Sequence, residues 1–460
     1  MPVFIGLDLG TQGVRATAVD ENGALVFESD MKFDSDMIQN EIQDIKIWEE
    51  YIIVCLKRLS DGIGRRNDEI LSISVTSTSG TVFAVDYQFN PVFNAVMYHD
   101  RNHRIQKNSL LNENYPALEK MLWIKENNES GSIYKFLHAN DFLIHILTGE
   151  YVTDYSSALK SGYDAINEKW AGAVTDHLSL SELPEVKSPG EIVGIISKDM
   201  SSVTGLPGNI KVVLGMTDGC TGLLSTGCSS PGEWCTTIGS TLVIKGISES
   251  HISDDIFYSH KHPEGYWMPG GASNTGAKWV SVYGFEDSLQ ELTDYAGKNM
   301  PSETFHYPLT GTGERFPFES DTIQRIDCST NKYDSFLAGM EGVAFIERMA
   351  YEKLQETFGV RIDKIYTSGS AGKNKVWNTI RSNILNRPIV PSNNRGSSFG
   401  AAVIAAGAVY YKDIQEASIN MASNDREALI SHFEYSNIYN EKYENFKALL
   451  EQHYGQGFKK

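Results

Sequence analysis

Gly6-Leu7-Asp8-Leu9-Gly10-Thr11-Gln12-Gly13-Val14-Arg15 joins an apolar run that opens at Val3 to a second that reaches Asp20. Both runs read as strands. The turn between them holds two glycines, which let the backbone bend with its N–H groups facing outward, and Thr11 adds a hydroxyl donor. Asp8, at the end of the first strand, suits a magnesium ion held through water. Together these residues make a phosphate cradle. An ordinary hairpin with an Asx-type turn accounts for them as well.

Working outward, Asn22-Gly23 is a hairpin signal and Ala24 to Glu28 a third strand, so the chain opens on a three-strand meander. Ile45, Trp48, Ile52, Cys55 and Leu59 recur at spacings of three and four, which predicts an amphipathic helix. Strands are expected at Ile70 to Val75, Val82 to Asp86 and Val92 to Met97, followed by helical periodicity from about residue 109 to 180. A second strand-rich stretch runs through Lys211 to Leu214, Trp234 to Ile238 and Thr241 to Ile247. Ser248-Glu249-Ser250-His251 then resembles a linker. Two α/β domains are expected, 1–247 and 248–460. The second carries a long helix through Phe336, Met340, Val343, Ile346 and Leu354, a strand at Lys364 to Thr367, and a small-residue helix from Phe399 to Tyr411.

The 460 residues exceed one ordinary core. With 59 acidic against 40 basic side chains, net charge −19, the chain would repel nucleic acid and anionic membranes. An anionic ligand must therefore be gripped by local backbone N–H groups and hydroxyls. The first residues hold no basic region followed by an apolar run, and no span of about 20 apolar residues follows, so a cytoplasmic protein is expected. Five cysteines, an odd and sparse number, fit reduced thiols; Cys220, Cys228 and Cys235 match no zinc spacing.

Further segments carry chemistry. Thr236-Thr237-Ile238-Gly239-Ser240-Thr241 repeats the hydroxyl-and-glycine chemistry of the first hairpin, and a triphosphate gripped from two sides needs two such turns. Gly215-Met216-Thr217-Asp218-Gly219 follows the apolar strand Val212 to Leu214, which places the carboxylate of Asp218 at a sheet edge, within reach of a substrate hydroxyl. A helix N-cap there is compatible with that role. Thr367-Ser368-Gly369-Ser370-Ala371-Gly372-Lys373-Asn374 lies between strand and helix, and its small residues can admit an adenine ring; it is not a P-loop, since position 367 is Thr. Gly396-Ser397-Ser398-Phe399-Gly400 spells the G-x-S-x-G of a hydrolase elbow, with Asp425 and His432 downstream, yet Ser392 to Arg395 separate it from the preceding strand.

The ordered set DLGTQGVR, SALKSGYD (157–164), GMTDG, IGST, GGASNTG (270–276), GERFPF (313–318), SGSAGKNKVW and SFGAA resembles the FGGY carbohydrate kinases from about residue 3 to 410. The resemblance implies two actin-like, ribonuclease H-type domains with a ligand cleft between them, ATP with Mg2+, and phosphorylation of a sugar's terminal hydroxyl. By position Asp218 is similar to the catalytic base, Asp8 to the metal holder, Thr11 and Gln12 to the first phosphate site, and Gly239, Ser240 and Thr241 to the second. Gly369, Ser370, Ala371 and Asn374 fall at the nucleotide. The stretches at 157–164 and Thr78-Ser79-Gly80-Thr81 look most like D-ribulose kinases, with D-xylulose or another sugar or polyol as the alternative. Ser79 and Asp100 are then sugar contacts, although the family's W-x-D-x-R is Tyr98-His99-Asp100-Arg101-Asn102 here, and Arg395 stands where Glu is frequent. A homodimer is compatible with these features. The rivals from other classes are an actin-like ATPase scaffold and a serine hydrolase.

Overall fold

The computed structural model describes residues 1–105, 115–128, 132–392, 395–422 and 433–455. The chain forms two compact units, the first comprising Met1–Gly227, His260–Gly265 and Arg395–Ser423, the second Cys228–Ser259, Tyr266–Asn394 and Asn424–Lys460.

In the first unit, β1 (Val3–Gly10), β2 (Gly13–Asp20) and β3 (Leu25–Lys32) form the expected antiparallel meander. Helix α1 (Ile45–Ile63) buries Ile45, Trp48, Ile52, Cys55, Leu56 and Leu59 on one stripe, and the Asp44 side chain caps it by accepting from Lys46 N. Then come β4 (Ile70–Ser77), β5 (Ile192–Ile195), β6 (Lys211–Thr217) and the short helix α2 (Asp218–Leu224). The sheet order is β5-β6-β4-β1-β2-β3, with β1, β4 and β6 parallel to one another. Strand β5 was not expected: it is short and half exposed, and lacks the alternation that marks a strand. A separate four-stranded sheet, ordered Ile42–Gln43, Pro91–Val96, Val82–Val85, Lys135–His138, supports the loop at 78–81.

The second unit repeats this plan. Its strands β7 (Glu233–Ile238), β8 (Leu242–Gly246) and β9 (Trp267–Ser273) are antiparallel neighbours. After α3 (Lys332–Phe358), β10 (Lys364–Ser368) pairs parallel with β7; after α4 (Lys375–Leu385), β11 (Ile389–Pro391) pairs parallel with β10. The order β9-β8-β7-β10-β11 matches β3-β2-β1-β4-β6 in both sequence and direction. The β7–β8 hairpin thus belongs to the second sheet, and the division falls after Gly227 instead of the expected 247/248.

The chain then returns to the first unit as α5 (Gly396–Val409), whose Phe399, Ala402, Val403, Ala405 and Ala406 pack with Phe4 and Val19. Gly6 allows this contact: a Cβ there would lie 1.8 Å from the Ser398 carbonyl oxygen. No helix among the described residues is long and apolar enough to cross a membrane.

Candidate active site

Parallel strands point their carboxyl ends to one side of a sheet, where ligands of such folds are bound. Asp8 on β1 pairs in register with Thr76 on β4, and Thr217, the last residue of β6, with Ser77. Asp218 follows directly, so both acids leave the same end. The register of β6 shifts between Val213 and Met216, a bulge at Gly215, where a Cβ would lie 1.6 Å from the Val75 carbonyl oxygen.

Asp8, Thr11, Gln12, Arg15, Asp30, Lys32, Thr78, Tyr98, Asp218 and Ser397 line one open cavity of about 410 Å³. Asp8 is half-buried by area, with its carboxyl enclosed by protein atoms. Burial, and after it the charge of Asp218, pushes its pKa up to about 7; Arg15 opposes the rise and Asp30 adds to it. Arg15 lies 3.3 Å from Asp30. Asp218 is partly exposed, and its side chain accepts from Gly219 N at 2.7 Å.

Of the expected sugar contacts, neither Ser79 nor Asp100 lines this cavity; Thr78 and Tyr98 do. Asp100 is buried, and its carboxylate accepts from Asn102 N, His103 N and the His103 ring at 2.9, 2.7 and 2.7 Å. Burial alone would raise its pKa, but the His103 bonds outweigh that and hold it below the usual carboxylate value. Its own turn occupies it. Ser79 keeps a buried hydroxyl without a hydrogen-bond partner, while its carbonyl accepts from Lys160 Nζ at 3.1 Å. Lys120, buried, donates to the Gly80 and Met97 carbonyls at 3.1 and 2.6 Å. Sequence reasoning missed Lys120 and Lys160, because nothing local distinguishes them from surface lysines.

The second unit gathers its own group. Gly239, Ser240 and Thr241 form the turn of the β7–β8 hairpin. Gly369, at φ +84°, presses against Ile238, whose carbonyl oxygen would lie 2.4 Å from a Cβ there. Ala277 N donates to Gly239 O at 2.7 Å. Ser370 is exposed, Ala371 buried, and Asn374 caps α4 by accepting from Trp377 N at 3.0 Å. Beneath them the fully buried Arg381 grips both oxygens of Glu347 at 2.7 Å and Thr367 Oγ1 at 2.7 Å. Glu347 in turn accepts from Thr236 Oγ1 at 2.6 Å. One buried ion pair thus ties β7 to β10 behind the two turns.

The two domain models of the FGGY family of carbohydrate kinases match residues 3–225 (N-terminal domain) and 231–409 (C-terminal domain). The chain belongs to this family. It is a sugar kinase, and membership implies the use of ATP. A xylulose kinase of Staphylococcus xylosus is 22% identical over 91% of this chain and 93% of its own. A gluconokinase of Bacillus subtilis is 24% identical over 87% and 86%. Solved structures agree in fold: ligand-bound xylulose kinase from Lactobacillus acidophilus, TM-score 0.85 at 18% identity, covering 98% of each chain, and Plasmodium falciparum glycerol kinase with ADP, 0.84 at 18%, also 98% of each. Each unit is thus an actin-like domain of the FGGY kinases.

Membership and geometry together remove the two rivals. The scaffold reading gives way to the kinase family. Ser398 of the G-x-S-x-G spelling is fully buried inside α5, 2.7 Å from Thr17 Oγ1, so no substrate reaches it; Asp425 and His432 lie outside the described residues. Arg395 hydrogen-bonds the Gly23 carbonyl and stacks over Phe399 at 4.8 Å, tying the start of α5 to the first unit's meander.

Proposed function

We propose that this FGGY kinase transfers the γ-phosphate of ATP to the terminal hydroxyl of a pentulose, with D-xylulose preferred to D-ribulose. The observation that carries the chemistry is the shared cavity of Asp8 and Asp218 at the carboxyl end of one sheet. Asp218, partly exposed and fixed at a strand end, accepts the proton of the sugar hydroxyl as its oxygen attacks phosphorus and ADP leaves. Such a transfer asks chiefly for alignment and for stabilisation of charge.

Asp8 is the residue that would hold Mg2+. Its donor set fits a small hard cation: carboxylate oxygen, few protein ligands, and a second carboxylate close enough to raise its pKa. A bound Mg2+ would supply neutralisation of phosphate charge. Thr11 and Gln12 present the first phosphate site, Gly239 to Thr241 the second, and Gly369, Ser370, Ala371 and Asn374 the nucleotide site.

The choice of sugar rests on the relatives. Both a sequence relative and a solved structure with near-complete coverage are xylulose kinases. That weighs for the alternative over the D-ribulose suggested by residues 157–164 and Thr78 to Thr81. Incubation with ATP, Mg2+ and D-xylulose, D-ribulose, gluconate or glycerol, followed by ADP release, tests the ranking. D-xylulose should give the highest kcat/KM; gluconate or glycerol in first place would defeat the pentulose assignment.

A further inference from the structure

The segment that ends Val152–Asp154 and opens the turn Tyr155–Ala158 carries a buried acid that touches neither cavity nor solvent. Asp154, fully buried, accepts from Ser156 N at 2.8 Å, Ser157 N at 3.0 Å, Ser157 Oγ at 2.6 Å, Asn140 Nδ2 at 3.0 Å and the Ser156 hydroxyl. A helix cap needs only the two backbone donors. The remaining three enclose the carboxylate so that the Ser156 hydroxyl has one place for its hydrogen. Its oxygen then faces outward and accepts from Thr217 N at 3.0 Å.

Thr217 immediately precedes Asp218, and its neighbourhood explains why that bond matters. Strand β5 pairs with β6 only as far as Val213. Past the bulge at Gly215, Met216 and Thr217 pair with Thr76 and Ser77 of β4, but β5 no longer flanks them on the other side. In place of a ladder bond, the Thr217 N–H finds the Ser156 hydroxyl. On the next turn the Thr76 and Thr221 hydroxyls lie 2.9 Å apart, and Ser397 Oγ donates to Asp218 O at 3.2 Å. These fix α2 from the other sides.

We infer that Asp154 and Ser156 are positioning residues for Asp218: the acid orients the hydroxyl, and the hydroxyl holds the strand end that aims the base. The inference rests on Asp218 being that base. A near-ångström loosening of a reacting group costs up to about a hundredfold in rate while leaving binding largely intact.

Ser156→Ala removes the acceptor and leaves Asp154 its backbone donors. In steady-state assays with ATP and D-xylulose, its kcat should fall about tenfold or more, with both KM values within about twofold of wild type. Ser156→Thr, which keeps the hydroxyl, should recover most of the rate. In an Asp218→Asn background, Ser156→Ala should lower the residual rate no further. Should Ser156→Ala not fold, Ser156→Cys, similar in volume and a weak acceptor, gives the same comparison. A loss in Asp218→Asn together with wild-type kcat in folded Ser156→Ala overturns this inference alone. An unchanged kcat with a raised sugar KM does so too. Full turnover in Asp218→Asn overturns both it and the base assignment.

Discussion

Asp8 and Asp218 occupy the same cavity, and the neighbouring positive charges are few. Burial and the second carboxylate carry the Asp8 pKa to about 7. Lys120 shows the opposite effect: burial drives its pKa from 10.5 down to about 8, while Asp100 resists the fall and Lys160 adds to it. The native state gives up this proton more readily than the unfolded chain. Below about pH 8 the buried ammonium costs on the order of 3 kcal/mol, and that cost is relieved as pH climbs from about 8 to 10.5. Denaturant unfolding of wild type and Lys120→Met across that range should therefore show wild type gaining on the variant by a few kcal/mol. A constant difference would mean that Lys120 titrates normally.

Elements carry most of what the sequence disclosed. The opening meander, β4, β7, β8, β10 and the strand before Asp218 are legible as short apolar runs, most of them buried on both faces, and α1 as a stripe at spacings of three and four. The pairing partners are not: β7 meets β10 at Thr236 and Thr367, a separation of 131 residues, which no local pattern records. The site divides in the same way. Asp8, Thr11, Asp218 and the second hairpin stand out because glycine and hydroxyl turns are short-range signals. Lys120 reaches Met97, Ser156 reaches Thr217 and Arg381 reaches Glu347 across 23, 61 and 34 residues, and these contacts stay silent in sequence. Close approach of elements is legible only in hindsight, through glycine. At Gly6 a Cβ would meet the backbone of α5 at Ser398 and Ala402, neither of which can yield as a side-chain tip does. Gly6→Ala should cost about 3 kcal/mol in urea unfolding. Gly172→Ala, with nothing within 4 Å, should stay within about 0.5 kcal/mol; equal stabilities would refute the account of β1 against α5.

At the scale of the whole molecule, two sheets of one plan have taken different roles. The first holds the two acids at its carboxyl end; the second holds a hydroxyl-rich hairpin and a tight glycine turn over a buried ion pair. The boundary eluded sequence analysis because Ser248 to His251 looks like a linker, while the true division precedes a strand whose partner comes far later. The return of α5 to the first unit was equally hidden, since its small apolar residues suit a core anywhere. The central claim is phosphoryl transfer from ATP to a pentulose by way of Asp218. Phosphorus NMR of a reaction with ATP, Mg2+ and D-xylulose tests it most directly. One sugar phosphate ester, on the terminal oxygen, should form for each ADP, and at only a small residual rate with Asp218→Asn although that variant still binds ATP; ADP accumulating with inorganic phosphate and no ester would contradict phosphoryl transfer to the sugar.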